Sequence, residues 1–163
     1  MQIKKANFED IPALVALDLR AVGRTLSYAR PESLWQNELV HDIVLMALEG
    51  EGCAVASVVL KQFGSTIEVS DFLVDPDYQD DIRRRVGTKL LESALAVADT
   101  IRGVQRQRLS VNPDNTRARH LYEKFGFHAR PMTLNPMTEF MMTMERHPFA
   151  HILKPADARP YRP

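Results

Sequence analysis

The chain has 163 residues, 45% of them hydrophobic and 26% charged, and its formal net charge is zero. That size points to one domain with a sizeable core, and the charge balance disfavours a nonspecific binder of nucleic acid or membrane surfaces. The single cysteine, Cys53, excludes an internal disulfide. With no charged-then-apolar leader and no apolar run near the ~20 residues of a membrane span, the expected location is cytoplasmic.

In chain order, QIKKA is a short strand. FEDIPALVALDLRAV is a helix, since Ile11, Leu14, Val15 and Leu19 recur at helical spacing. A loop with Gly23 leads to a second helix, PESLWQNELVHD, with Pro31 near its first turn. The period then changes. DIVLMALE and CAVASVVLKQ are apolar runs divided by GEG, which marks a hairpin, and STIEVSDFLV is the next strand. A helix is expected from Val86 to Ile101, with Val86, Leu90, Leu91, Ala94, Leu95 and Ala98 on one stripe. RLSV is a strand, NTRARHLYEKFGF a helix stopped by Gly126, and FHAR and EFMMTMER are closing strands. The long crossover makes strands 66–74 and 108–111 parallel. After Arg146 the segment HPFAHILKPADARPYRP has no clear period and reads as a proline-rich tail.

The segment LSVNPDNTRARHLYEKFGF, Leu109 to Phe127, carries the strongest signal. Asn115, Ala118, Leu121, Tyr122, Glu123, Lys124, Gly126 and Phe127 resemble the closing motif of the GNAT family of acetyl-CoA-dependent N-acetyltransferases. IEVSDFLVDPDY looks like that family's fourth strand and its exit. The resemblance implies an α+β fold with a mixed central sheet of about six to seven strands flanked by about four helices. It covers a single domain over residues 1–146, followed by the tail, 147–163. It also implies transfer of an acetyl group from acetyl-CoA, as co-substrate, to a primary amine. In such a fold the two central parallel strands splay, and their unpaired backbone groups near Leu73 and Val74 pair with the pantetheine arm.

In the family the turn after that strand reads Arg or Gln, two residues, Gly, one residue, then Gly or Ala, and its backbone cradles the pyrophosphate at a helix N-terminus. Here Gly87 matches the last glycine. Arg85 then stands where the first glycine belongs and Ile82 where the Arg or Gln belongs; alternatively Gln79 takes that place and DDI is an insertion. Val86, Gly87 and Thr88 are the expected backbone contacts. In one reading Arg83, Arg84 and Arg85 offer guanidinium groups to the phosphates. In the other, Asp80 or Asp81 caps an early helix start and the arginines face solvent.

The resemblance makes Tyr122 the acid that protonates the departing thiolate, with Asn115, two helical turns earlier, on the cofactor. Glu68, six residues before Val74, is the candidate base through a water chain. By strand alternation Ser70 shares its face and Asp71 points to the other. An oxyanion would be held by a backbone N–H near Leu73. His147 and His151 lack a third ligand, so no metal is expected. Trp35, Tyr28 and Phe63 are candidates to line an acceptor cleft, either as its walls or as core and rim. Arg24 and Arg30 favour an acidic acceptor, and no acidic lining can be placed. The acceptor is left open between a small-molecule and a protein amine, and a homodimer is also left open. The alternative is a degenerate module of this fold with weak or no CoA binding, used for interaction or regulation.

Overall fold

Asn7 opens the first helical segment with a reciprocal cap. Its side chain accepts the Glu9 N–H at 2.9 Å, and the Asp10 carboxylate accepts the Asn7 N–H at 2.8 Å. The computed structural model describes residues 1–50, 52–130 and 141–148. Its elements are β1 (Gln2–Lys5), a 3-10 turn (Phe8–Asp10), α1 (Ile11–Ala21), α2 (Glu32–His41), β2 (Ile43–Glu49), β3 (Cys53–Phe63), β4 (Thr66–Val74), α3 (Asp80–Thr100), β5 (Arg106–Val111), α4 (Thr116–Lys124), β6 (His128–Ala129) and β7 (Met142–Arg146). Among the described residues these form one seven-stranded mixed sheet, in the order β1-β2-β3-β4-β5-β7-β6. This is the expected α+β architecture, and β4 and β5 are its one parallel pair. The tail from residue 149 onward, His151 and the first residues of the expected closing strand lie outside the described residues.

The hydrophobic pattern explains the layers. β3 is buried from Ala54 to Leu60, because helices cover both faces of the sheet at its centre. Leu90, Leu91, Ala94, Leu95 and Ala98 of α3 pack with Tyr122 of α4 on one face. Leu14, Leu17 and Ala21 of α1 and Trp35 of α2 pack on the other. The β2–β3 hairpin turns through Gly50 and Gly52, at φ 56 and 90, a region that side chains with a Cβ avoid.

Two features correct the expectations from sequence. Helix α3 begins at Asp80, not Val86. Ile82, one turn before Val86, packs against the same core and so extends the apolar stripe, and Asp80 and Asp81 in the first turn suit the positive end of the helix dipole. Neither acid caps the helix: Gln79 holds the cap position and makes no side-chain cap bond. The second feature is a bulge in β4. Ser57 faces Leu73 and Val59 faces Ser70, so β4 carries one extra residue there. Asp71, at φ 50, is the one non-glycine residue with positive φ among those described. The bulge resets the alternation. Asp71 reaches Arg30 and Lys61, and thus shares the face of Lys61, the cross-strand neighbour of Glu68. The expectation that it points to the opposite face is overturned for that reason.

Candidate active site

The β4–β5 ladder covers only Thr66 to Glu68 against Arg106 to Arg108. Beyond it β5 pairs with β7 alone, so the C-terminal half of β4, from Val69 to Val74, turns an unpaired backbone edge toward β5. Leu73 and Val74 lie on that edge. Leu73 is buried against the α1–α2 face, and Val74 packs beside α3. Backbone N–H and C=O groups left in this way need partners, and an extended, amide-bearing ligand arm fits the gap.

The start of α3 abuts that edge. The Arg83 N–H already donates to the Gln79 carbonyl at 2.9 Å. The N–H groups of Val86, Gly87 and Thr88 therefore lie in the helix interior, where they serve the helical ladder. The donors left free by helix geometry are those of the first turn, Asp80 to Ile82. Gly87 faces β4. A Cβ at this position would lie 3.4 Å from Val74 Cγ2 and 3.7 Å from Phe72 Cε1, ordinary contact distances at the place where α3 packs on β4. Thr88 turns its hydroxyl back to the Arg84 carbonyl at 2.7 Å.

Charge is arranged around this helix start. Arg117 of α4 donates to the Asp80 carboxylate at 2.8 Å and to its carbonyl at 2.9 Å, and that hydrogen bond holds the Asp80 carboxyl below the usual range. Arg84 lies 3.5 Å from Asp81. Arg83 is half-buried, and Arg84 and Arg85 are exposed. Three arginines and Arg117 thus surround two carboxylates at a helix N-terminus, a net positive set.

Tyr122 projects from α4 into the core between the sheet and the helices, packed edge-on to Phe127 with centroids 6.1 Å apart. Burial raises its pKa from 10.0 to about 12, so the phenol is neutral at physiological pH. Asn115 caps α4, its side chain accepting the Ala118 N–H at 3.0 Å. Glu68 sits where the β4–β5 ladder ends, and its Oε2 accepts from Arg108 Nε at 3.0 Å and lies 2.9 Å from Arg108 Nη2. Of the other arginines between 102 and 119, Arg119 donates to the Pro113 carbonyl at 3.1 Å.

On the opposite face lies a group of buried charges that sequence reasoning missed. Arg30 forks onto Asp18 through two hydrogen bonds of 2.8 Å and lies 3.8 Å above the ring of Trp35. Burial works against the Arg30 cation, but the bond and charge of Asp18 outweigh it and its pKa is raised. Glu38 accepts from Lys61 at 3.2 Å. Burial raises the Glu38 pKa against the pull of Lys61. For Lys61, burial is outweighed by Glu38 and Asp71, and its pKa rises. Trp35 is fully buried and belongs to the core, not to a cleft wall; Tyr28 and Phe63 are exposed. Arg24 pairs with Asp77 and Arg30 with Asp18, so neither stands free for an acidic ligand. The one signal in the sequence was Asp18 and Lys61, single charges inside the otherwise apolar stretches of α1 and β3. Among the described residues no group of three or more His, Cys, Asp or Glu is placed to hold a metal ion, and no helix is long and apolar enough to cross a membrane.

The acetyltransferase (GNAT) family model matches residues 12–127. Over 116 residues, 71% of the chain, the sequence is 39% identical to a mycothiol acetyltransferase of Beutenbergia cavernae. The chain spans about a third of that relative's length, 34%. Among solved structures, the ribosomal-protein-S18-alanine N-acetyltransferase of Escherichia coli superposes with a TM-score of 0.70 at 22% identity, covering 90% of this chain and 93% of that one. The PaiA N-acetyltransferase of Thermoplasma acidophilum, solved with coenzyme A, gives a TM-score of 0.72 at 19% identity, covering 90% and 98%. Both likenesses are of fold.

Proposed function

Because this chain belongs to the GNAT acetyltransferase family, we propose that it moves an acetyl group from acetyl-CoA to the primary amine of a small-molecule or protein acceptor by direct transfer, in the cytoplasm. The observation that carries the reading is the unpaired edge of β4 past Glu68, with α3 packed against it at Gly87 and Tyr122 in the same core cluster. Backbone groups at Leu73 and Val74 would take the pantetheine amides. The diphosphate would take the first-turn amides of α3 together with Arg83, Arg84, Arg85 and Arg117. That places the phosphate contacts one turn or more before Val86, Gly87 and Thr88, whose amides the helix uses. Asn115 contributes by fixing the start of α4, and with it the position of Tyr122.

Acetyl-CoA supplies a thioester carbonyl that a neutral amine can attack, forming the C–N bond and releasing the thiolate. The chain has three tasks. The amine must lose its proton, and Glu68, held by Arg108 at the end of the ladder, would pass it to water. Negative charge on the carbonyl oxygen needs a donor, and a backbone N–H of the unpaired edge near Leu73 can serve. The leaving sulfur needs a donor as well. A phenol with a pKa of about 12 is a weaker acid than a thiol at roughly 8.5, so Tyr122 stabilises the thiolate by hydrogen bonding more than by full proton transfer.

The second reading is a module of the same fold that no longer binds CoA, favoured by the early start of α3. Calorimetric titration of acetyl-CoA into the protein decides between them, with a parallel sample carrying Arg83→Ala, Arg84→Ala and Arg85→Ala. Micromolar binding, weakened in the triple variant, supports the transferase. A folded wild-type protein that takes up no acetyl-CoA supports the module.

A further inference from the structure

The charges gathered between α1, α2 and the sheet do not sum to zero: Asp18, Arg30 and Glu38 are buried, Lys61 is half-buried and Asp71 is exposed. Asp18 is matched by Arg30 and Glu38 by Lys61. Asp71 is the third carboxylate and has no base of its own. Lys61 Nζ and Arg30 Nη1 lie 3.6 and 3.8 Å from it, beyond hydrogen-bond reach. Both cations face the same oxygen, Oδ2, which leaves Oδ1 for a ligand.

Two enclosed atoms border this carboxylate. Arg30 Nη1 and Glu38 Oε2 are buried without a hydrogen bond, 3.8 Å from each other. Their side chains are 8% and 4% exposed, and Nη1 is turned toward Asp71. Of the two, the acceptor Glu38 Oε2 calls for a donor such as an ammonium N–H, whereas Nη1 is a donor and meets only the charge of the carboxylates beside it. Asp71 itself is the opening: its side chain is 40% exposed. It sits on the β4 bulge at φ 50, in the part of the strand that has left β5. A strained, non-glycine backbone beside enclosed charged groups is a recurrent mark of a working residue.

We propose that Asp71 docks the ammonium group of the acceptor, and that the acceptor is a cationic amine with no carboxylate beside the reacting nitrogen. Three acids against two bases leave one negative charge to be met by a cation. A carboxylate ligand would instead add a fourth negative charge to Asp18, Glu38 and Asp71 against the same two cations. Arg30 and Lys61 are positioning residues: they hold one oxygen of Asp71 and aim the other outward. The term acceptor rests on the transferase reading, whereas binding of the cation does not.

The test is titration of 1,4-diaminobutane, and separately of succinate, at constant ionic strength into wild type, Asp71→Asn and Asp71→Gly, each with and without coenzyme A. Asn and Gly both tolerate positive φ, so neither variant adds backbone strain. The diamine is expected to bind wild type and to bind both variants about tenfold more weakly or worse. Succinate is expected to bind none of the three. Equal diamine affinity in wild type and Asp71→Asn overturns the proposal, as does tight binding retained by Asp71→Gly. A folded wild type that ignores the diamine, or prefers succinate, overturns it too. Acetyl-CoA affinity, read in its own titration, reports separately on the transferase reading.

Discussion

The two faces of the sheet are built on different principles. The α3–α4 face is an apolar layer in which Leu90, Leu91, Ala94, Leu95 and Ala98 repeat at helical spacing and pack with the buried phenol of Tyr122. The α1–α2 face holds Asp18, Arg30, Glu38 and Lys61 among Leu14, Leu17 and Trp35. Burial of the first face is favourable wherever its residues fall on the stripe. Burial of the second is favourable only if each charge finds its own partner, since an unpaired ion in the interior costs several kcal/mol. The apolar face can thus supply shape and a neutral donor, and the charged face can supply selectivity for an acceptor.

The largest expected effect lies on the charged face. Asp18→Ala leaves Arg30 buried without its fork and should lower unfolding stability by about 3–5 kcal/mol, measured by urea denaturation. A fall of under ~1 kcal/mol would mean that Arg30 relaxes to solvent and that the pair does not organise this face.

On the apolar face, Tyr122→Phe should lower kcat by about a hundredfold while acetyl-CoA affinity stays as in wild type. Equal losses in both would make Tyr122 a packing residue. Its pH dependence has a definite sign. The folded pKa of about 12 exceeds the ordinary tyrosine value of 10.0. The protonated phenol therefore adds stability that is fully present below about 10 and is lost as pH rises through about 12. Burial and the bond to Glu49 also raise the Tyr78 pKa, so an absorbance titration of wild type should show late-ionising tyrosines of which Tyr122→Phe removes one, and the Tyr122 contribution to the rate should persist to pH 10.

The start of α3 joins the two faces. Arg117→Ala should weaken acetyl-CoA binding about fivefold, because it removes a cation from a helix N-terminus that also holds Asp80. A gain in affinity would place the phosphates elsewhere. The smallest effect is expected for Gly87→Ala. The added methyl meets Val74 and Phe72 at ordinary contact distance, and alanine is the better helix former, so stability should rise by up to about 1 kcal/mol with unchanged acetyl-CoA affinity. A loss of cofactor binding would return Gly87 to the phosphate cradle.

Much of the fold was legible in the chain. The apolar runs Ile43 to Glu49 and Cys53 to Phe63 on either side of Gly50 and Gly52, the stripe of α3 and the Asn115–Phe127 motif each carry their signal within a dozen or so residues. The helix start at Asp80 was misplaced because Ile82 was read as loop between charged neighbours, although it stands four residues before Val86 on the same stripe. Asp71 was assigned to the wrong face because strict alternation was assumed across a bulge that no local residue announces.

The sequence by itself determined the order of elements, the parallel β4–β5 pair and the family, since these follow from short-range periodicity and one contiguous motif. Only the tertiary structure decided that Gly87 packs against Val74, that the α3 amides beyond the first turn are used by the helix, and that Asp71 joins Arg30 and Lys61. The Gly87 and Asp71 contacts join different elements, across separations from 10 positions (Lys61 to Asp71) to 41 (Arg30 to Asp71). The use of the amides follows from where α3 begins, and the pairing energy of buried charges is settled only once the chain has brought them together.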